Sequence, residues 1–251
     1  LLARKKHEKI WLLLEGTDGM EKTTFRTPRR SERRAWRRKR LGLPSYSTAE
    51  EIWNAISHGL GAAFAIVALV ILLVQGQHNA LTVVSVSIYG STMVLLYTVS
   101  TLYHALGVGR AKKVFQVLDH CTIYLLIAGT YTPVSLLCIG GSTGWSLFGF
   151  VWAVSLLGIV LNAVDMKRFR VISMICYLGL GWCVLFFLRP LIESLDRISL
   201  LFLVTGGVLY TVGAILYGAG RKVKYMHSIW HFFCVAGSFF HFLVIYNIAV
   251  V

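Results

Sequence analysis

Seven apolar stretches, each about 20 residues long, constrain the fold of this chain more than any other feature. They lie at 52–75, 80–104, 114–139, 143–164, 169–188, 198–219 and 227–250. A helix of about 20 residues crosses roughly 30 Å of hydrocarbon, and the stretches lack the alternation of membrane β-strands. Because a backbone in lipid must satisfy its own hydrogen bonds, the sequence predicts an all-α integral membrane protein, a bundle of seven transmembrane helices called spans 1 to 7.

Composition supports this fold class, with 56% hydrophobic and only 14% charged residues in a chain of 251. These values are typical of a membrane protein, and the length leaves no room for a second large domain. We expect a basic tail at 1–45 and a membrane domain at 46–251. The first methionine is Met20, and we expect residues 1–19 to be an over-extended gene model or a fragment edge.

Lysine and arginine are distributed very unevenly between the two sides of the predicted bundle. The tail and the loops after spans 2, 4 and 6 carry 23 of them, whereas the opposite side carries 2. The positive-inside rule therefore predicts a cytoplasmic N-terminus and a C-terminus outside. No lysine falls within a predicted span, which excludes a retinal Schiff base.

The tail segment "RTPRRSERRAWRRKR" concentrates much of this charge. We interpret it as a solvated topology determinant that also contacts anionic lipid. Nucleic-acid binding is the less favoured alternative, because Trp36 is its one aromatic residue and no binding fold surrounds it. Most of the net charge of +14 thus comes from the tail.

Unusual polar residues collect at the predicted cytoplasmic ends of four spans. Span 1 opens with "EEIWNAISHG", which places polar groups at i, i+3 and i+7 on one helical face. Span 2 closes with "STLYH", span 3 carries an acid in "VLDHCTIY", and span 7 opens with "HSIWH". The residues are Glu51, Asn54, His58, Ser100, His104, Asp119, His227 and His231. We expect these side chains to lie at similar depth.

Three of the histidines form a candidate zinc site. His227 and His231 share a helical face, and His104 can complete a three-histidine set, the ligand set of many catalytic zinc sites. Asp119 is a candidate hydrogen-bonding group for the metal's water or for a ligand ring, and Ser100 is a second candidate catalytic residue. The alternative is that the histidines only form interhelical hydrogen bonds.

Two further histidines are assigned to a cavity. His241 lies ten residues after His231, about 15 Å along a helix, so it cannot bind the same ion. His58 is either a fourth ligand or a cavity hydrogen-bonding residue, and Glu51 and Asn54 are assigned to the same polar cavity.

These motifs, in this order and spacing over residues 45–251, resemble the hemolysin III proteins, the bacterial branch of the progestin and adipoQ receptor family. The resemblance rests on "ExxNxxSH" at 51–58, "SxxxH" at 100–104, Asp119 followed by "IAGTYTP", and "HxxxH" with a third histidine ten residues on. It implies seven helices, a cytoplasmic N-terminus and Zn²⁺ held by His104, His227 and His231. It also implies a water-mediated role for Asp119, beside which it places Ser100.

The resemblance leaves three functional hypotheses open for a multi-pass protein of the bacterial cell membrane. The first is a zinc-dependent hydrolase of lipid amides such as ceramide, acting in membrane-lipid homeostasis. The second is a non-catalytic sensor or regulator of membrane state with a structural zinc. The third, a pore-forming cytolysin, is the least favoured because the spans carry few charges. Substrate and oligomeric state cannot be read from the sequence.

Overall fold

The computed structural model describes residues 29–220 and 223–250, which are helical and contain no strand. After an N-terminal helix, Arg30–Leu41, seven helices are long and apolar enough to cross a membrane, and the predicted fold class is confirmed. Spans 1 to 7 are Thr48–Gln75, Ala80–Ala105, Arg110–Ile139, Gly141–Asp165, Val171–Ser194, Arg197–Ala219 and Met226–Val250. The chain divides after Trp36, and the contacts reported below lie within residues 37–250.

Three expectations remain as predictions. The interpretation of residues 1–19 lies outside the described residues. The domain boundary at residue 45 is likewise untested, as is the sidedness of the two termini.

The polar ends of spans 1 and 3 are helical further out than predicted. Span 1 begins with a capping box, in which Glu50 N donates to Ser47 Oγ at 3.2 Å and Ser47 N donates to Glu50 Oε2 at 2.8 Å. This reciprocal pair satisfies two backbone donors that a helix start leaves open. Span 3 begins at Arg110, so Lys112 is inside the helix and Asp119 lies more than two turns from its start.

Spans 3 and 5 are irregular at specific points. A π-helical stretch, Val134–Ile139, follows Pro133, where the missing proline N–H interrupts the regular helical hydrogen bonds. The span 5 region consists of Arg170–Trp182, a 3₁₀ segment Cys183–Phe187 and a short helix Leu188–Ser194. Both irregular stretches lie outside the helical segments that carry His104, His227 and His231.

Close packing among spans 1, 2 and 7 positions the site. Their shared core includes Leu72, Met93, Tyr97 and Ile245. A Cβ at Gly61 would lie 2.8 Å from the Tyr97 ring, so only glycine permits this approach of span 1 to span 2. A second core, around Tyr124, Leu147 and Val151, joins spans 3, 4 and 5.

Large apolar side chains cover the outward faces of the spans. Val164 is 74% exposed and Phe186 is 89% exposed, values that a water-soluble protein rarely shows for a whole surface. Lipid accounts for this exposure, and the protein is a multi-pass membrane protein.

Candidate metal centre

Three histidine side chains converge where the last turn of span 2 meets the first two turns of span 7. His227 Nε2 lies 3.2 Å from His104 Nε2 and 3.1 Å from His231 Nε2. The ligand atoms all lie within 4.8 Å of one another. Ligand nitrogens about 2.0–2.1 Å from a tetrahedral ion are about 3.3 Å apart. The structure thus brings together the three histidines singled out in the sequence, and their cluster could hold a metal ion.

Hydrogen bonds on the far side of two rings fix where their protons lie. His104 Nδ1 is 2.8 Å from Glu51 Oε2, and His231 Nδ1 is 3.1 Å from the carbonyl oxygen of Asn54. Both partners are acceptors, so each Nδ1 carries the proton and donates it. The Nε2 lone pairs of these two rings therefore face the cluster, and a proton on His227 Nε2 can satisfy only one of them. A cation between the rings removes the remaining repulsion.

Span 1 supports the cluster from behind. Ser57 Oγ donates to Asn54 O at 3.0 Å and lies 3.1 Å from His231 Nδ1. Ser228 Oγ donates to Asn54 Oδ1 at 2.5 Å, which ties span 1 to span 7. Glu51 and Asn54, which the sequence assigned to a cavity, therefore lie behind the histidines and hold their orientation. Such supports commonly tune metal affinity.

His227 is held by ring contacts. The Tyr46 ring stacks on it with centroids 5.1 Å apart and an interplanar angle of 12°, and the Tyr217 ring lies 5.2 Å away. His227 Nδ1 is buried without a hydrogen-bond partner among the described residues. Burial raises the pKa of Tyr46 well above its ordinary value, so its hydroxyl stays neutral. The sequence analysis did not identify Tyr46, because nothing in its local pattern distinguishes it.

A buried charge network surrounds Glu51. Its Oε2 lies 3.1 Å from Lys112 Nζ, and its Oε1 lies 3.7 Å from the Arg38 guanidinium. Lys112 Nζ also donates to the carbonyl oxygens of Tyr103 at 2.6 Å and His104 at 3.3 Å. Lys112 thus fixes the end of span 2 beside its histidine. The expectation that no lysine lies within a span was wrong, because the helix start at Arg110 brings Lys112, only 2% exposed, into the bundle.

A cavity of about 1040 Å³ borders the cluster. Its lining includes His227 and His231 at one end and His241 at the other, ten residues further along span 7. His241 Nε2 lies 3.3 Å from the carbonyl oxygen of Leu203, and a Cβ at Gly206 would collide with its ring. His241 is outside the metal cluster. Apolar residues form much of the wall between the ends, including Leu96, Ile123, Leu126, Leu178 and Trp230.

Asp119 and Ser100 line the same cavity. Asp119 is 8% exposed, and its Oδ2 lies 3.8 Å from His120 Nδ1. Ser100 Oγ is close to this carboxylate but makes no hydrogen bond of ordinary length to a described residue. His120, to which the sequence analysis assigned no role, also lines the cavity, and its Nδ1 donates to Gln116 O at 2.9 Å.

His58 lies against the cluster without belonging to it. Its ring stacks face to face on His231, with centroids 3.5 Å apart and an interplanar angle of 6°. The three-histidine group does not include it. His58 lines the cavity, and both roles that the sequence left open for it, a fourth ligand or a cavity hydrogen-bonding residue, stay predictions.

Comparison with known proteins agrees with this architecture. The family model described as "Haemolysin-III related" matches residues 46–242. "Hemolysin-3" of Bacillus cereus is 42% identical over 191 residues, which cover 75% of this chain and 87% of that protein. The "Hemolysin-3 homolog" of Bacillus subtilis (strain 168) is 40% identical over 195 residues, 77% of this chain and 91% of that protein.

A human protein is a more distant relative. "Monocyte to macrophage differentiation factor" is 24% identical over 166 residues, 64% of this chain and 68% of that protein. The match of the family model, the two Bacillus relatives and the seven-helix fold together confirm the resemblance seen in the sequence. The chain belongs to the haemolysin III family.

Proposed function

We propose that this protein is a zinc-dependent hydrolase of amide-linked membrane lipids that acts in membrane-lipid homeostasis. Its site lies at the cytoplasmic end of the bundle in this proposal, with the N-terminus inside and the C-terminus outside. The observation that carries the proposal is the convergence of three histidine nitrogens beside a cavity that also contains a buried carboxylate. Three protein nitrogens are the ligand set of many catalytic zinc sites.

The donor set fits zinc. Neutral imidazole nitrogens suit Zn²⁺, and the hydrogen bonds to Glu51 and Asn54 keep the rings of His104 and His231 in the tautomer that binds a metal. When bound, zinc polarises a substrate carbonyl and lowers the pKa of water toward about 7. His104, His227 and His231 would hold the ion.

The remaining cavity groups supply binding and proton transfer. Asp119 would take a proton from the attacking water and return it to the leaving amine, the ordinary work of a general acid–base group. Ser100 Oγ, which lies close to the Asp119 carboxylate, would donate to a substrate oxygen. The cavity volume of about 1040 Å³ is at the upper end of ligand pockets, and its apolar wall suits an acyl chain.

Replacement of Asp119 by asparagine tests the hydrolase. The three nitrogen ligands remain, so zinc content should be largely retained. Turnover of ceramide or another N-acyl lipid by purified protein should fall by roughly 10²- to 10⁴-fold, because the proton-transfer group is lost. Asp165→Asn is the control, since it removes an exposed carboxylate at the end of span 4. Equal turnover in the Asp119 variant and the wild type would contradict the assigned role.

The second candidate is a non-catalytic sensor with a structural zinc. It is favoured because a metal bound by the three histidines would join spans 2 and 7, which hydrogen bonds from Glu51 and Asn54 already tie to span 1. This candidate predicts full zinc occupancy and no hydrolysis across a panel of amide and ester lipids. Asp119→Asn would then change only zinc affinity.

A pore-forming cytolysin is the third candidate. The names of the two Bacillus relatives refer to haemolysis. Among the described residues, the cavity wall between its two ends is largely apolar, unlike the rings of charge that line many ion pores. Release of dye from vesicles by purified protein would support this candidate over the hydrolase.

Lipid is also the proposed partner of the basic N-terminal segment, and nucleic acid is not. The helix Arg30–Leu41 exposes several arginine and lysine side chains. Each basic residue near an anionic lipid surface contributes about 1 kcal/mol of attraction. The segment would therefore hold the cytoplasmic side of the protein against anionic headgroups.

A further inference from the structure

His58 is a buried side chain whose polar atoms the fold does not use. It is 4% exposed, and neither Nδ1 nor Nε2 has a hydrogen-bond partner among the described residues. A neutral imidazole has one N–H donor and one acceptor nitrogen. Leaving such groups unpaired in a protein interior costs about 1–3 kcal/mol each. A histidine that only fills space at this position would therefore destabilise the fold.

The rings around His58 do not supply the missing partners. His231 meets it face to face, but the two nitrogens of His231 are engaged with Asn54 O and with His227 Nε2. Tyr97 contacts it edge-on with centroids 5.0 Å apart, but the Tyr97 hydroxyl is engaged with Cys234 O at 3.1 Å and Ser238 Oγ at 2.7 Å. An N–H contact to the Tyr97 ring is weaker than a hydrogen bond. Phenylalanine would make the same ring contacts without the unpaired nitrogens.

The cavity borders the His58 ring, whose two nitrogens are covered in the present orientation, so a partner in the cavity reaches them when the ring turns. His58 lines the cavity together with Ser100, whose buried Oγ lies close to the Asp119 carboxylate. Ser100 lies one turn before the ligand His104, and His58 stacks on the ligand His231. The unpaired ring of His58 and the polar side chains of Ser100 and Asp119 thus line one space next to the three histidines. The rest of the wall is largely apolar.

We propose that His58 is a ligand-binding residue that hydrogen-bonds a hydroxyl group in the polar head of an amide-linked lipid. A hydroxyl both donates and accepts, which matches the two nitrogens of a neutral imidazole. The proposal rests on the proposed function for the identity of the lipid. It adds that the cavity distinguishes hydroxylated headgroups from plain alkyl amides.

The test compares two lipids on zinc-loaded protein in nanodiscs. N-palmitoylsphingosine carries hydroxyl groups beside its amide, whereas N-octadecyl palmitamide has the amide alone. Binding of each lipid is measured by competition at 4 °C, with the recovered lipid checked for cleavage, and hydrolysis is measured separately. The variants are His58→Phe, which keeps a ring of similar size, and His58→Gln, which keeps a donor and an acceptor.

Tyr89→Phe is the matched control. The Tyr89 hydroxyl is also buried and without a partner among the described residues, but Tyr89 belongs to the core and does not line the cavity. Removing this hydroxyl should leave the lipid preference unchanged. Zinc content is measured for every variant, so that a disturbed metal cluster is recognised.

We expect wild-type protein to bind the hydroxylated lipid more tightly. His58→Phe should reduce that preference about tenfold, which is the contribution of a typical hydrogen bond, and should leave the affinity for the plain amide unchanged. His58→Gln should restore part of the preference. Equal affinities in the Phe variant and the wild type would overturn the proposal, as would parallel loss for both lipids or binding of neither. A preference that depends on His58 without any hydrolysis would support this inference and refute the hydrolase.

Discussion

Replacing Glu51 by alanine should weaken zinc binding by about 10- to 100-fold, the usual effect of removing a hydrogen-bond partner of a ligating histidine. The structural reason is the 2.8 Å bond from His104 Nδ1 to Glu51 Oε2. Without it, the His104 ring can rotate or place its proton on Nε2, the nitrogen that faces the cluster. The factor corresponds to about 1.4–2.7 kcal/mol, and it agrees with about 1.5–3 kcal/mol for a hydrogen bond to a charged group.

The same substitution also removes a partner of Lys112, so stability and metal binding must be measured separately. Lys112 keeps its bonds to the carbonyl oxygens of Tyr103 and His104, which limits the damage to the fold. Zinc affinity is measured by titration with a competing chelator at a temperature where metal-free protein remains folded. Thermal unfolding of the metal-free protein then reports stability alone, because bound zinc would raise it by mass action.

Glu50 provides the control for Glu51. It is equally buried, at 8% exposure, and its carboxylate accepts from Ser47 N and from Tyr225 N at 3.0 Å. It makes no hydrogen bond to a histidine of the described chain. Glu50→Gln should cost up to about 1 kcal/mol of stability through the weakened helix cap and leave zinc affinity unchanged. Glu51→Gln should fall between wild type and alanine. A Glu51→Ala affinity within twofold of wild type, or an equal loss in the Glu50 variant, would refute this account of the cluster.

Three further outcomes are expected. Elemental analysis should find about one zinc per chain. Replacing His104, His227 or His231 by alanine should remove most of this zinc, whereas His241→Ala should leave it in place. Equal loss of zinc in all four variants would mean that the metal lies elsewhere. A phosphatase fused after residue 251 should be active, and one fused between residues 220 and 226 should be inactive, as the charge asymmetry requires. The opposite pattern of phosphatase activity would place the histidine cluster on the outer side of the membrane. Deleting residues 1–40 should reduce the co-sedimentation of nanodisc-embedded protein, in neutral lipid, with anionic vesicles. Salt at 0.5 M should have the same effect on the intact chain, because salt screens the attraction between charges. Unchanged co-sedimentation after the deletion would exclude the tail as the lipid-binding segment.

The seven spans could be predicted because hydropathy over about 20 residues depends on composition and hardly on packing. The histidine cluster could also be predicted from the sequence, because the i, i+4 spacing of His227 and His231 and the shared depth of His104 follow from helix geometry alone. Helix ends were less predictable. The capping box at Ser47 is polar and short, so hydropathy does not show where span 1 begins. Span 3 begins at Arg110, before its apolar stretch, and Lys112 was therefore placed in a loop.

The supports of the cluster were harder to predict than the cluster itself. Tyr46 reaches His227 across about 180 residues of chain, and no periodicity links two residues so far apart. Lys112 has a similar relation to Glu51, 61 positions away in sequence. Such contacts depend on how the helices pack against each other, which a single sequence does not specify.

The role of His58 shows where helical periodicity stops being informative. Its position, seven residues after Glu51, correctly predicted a residue on the face of span 1 that meets the cluster, but periodicity does not fix the ring's orientation. A nitrogen aimed at His104 and His227 would have made His58 a fourth ligand. The ring instead lies flat on His231 at 3.5 Å, so its nitrogens do not join those of the cluster. Three histidine nitrogens therefore converge in the described chain. If they hold zinc, three protein ligands leave a metal position for substrate or water, which the proposed hydrolase requires.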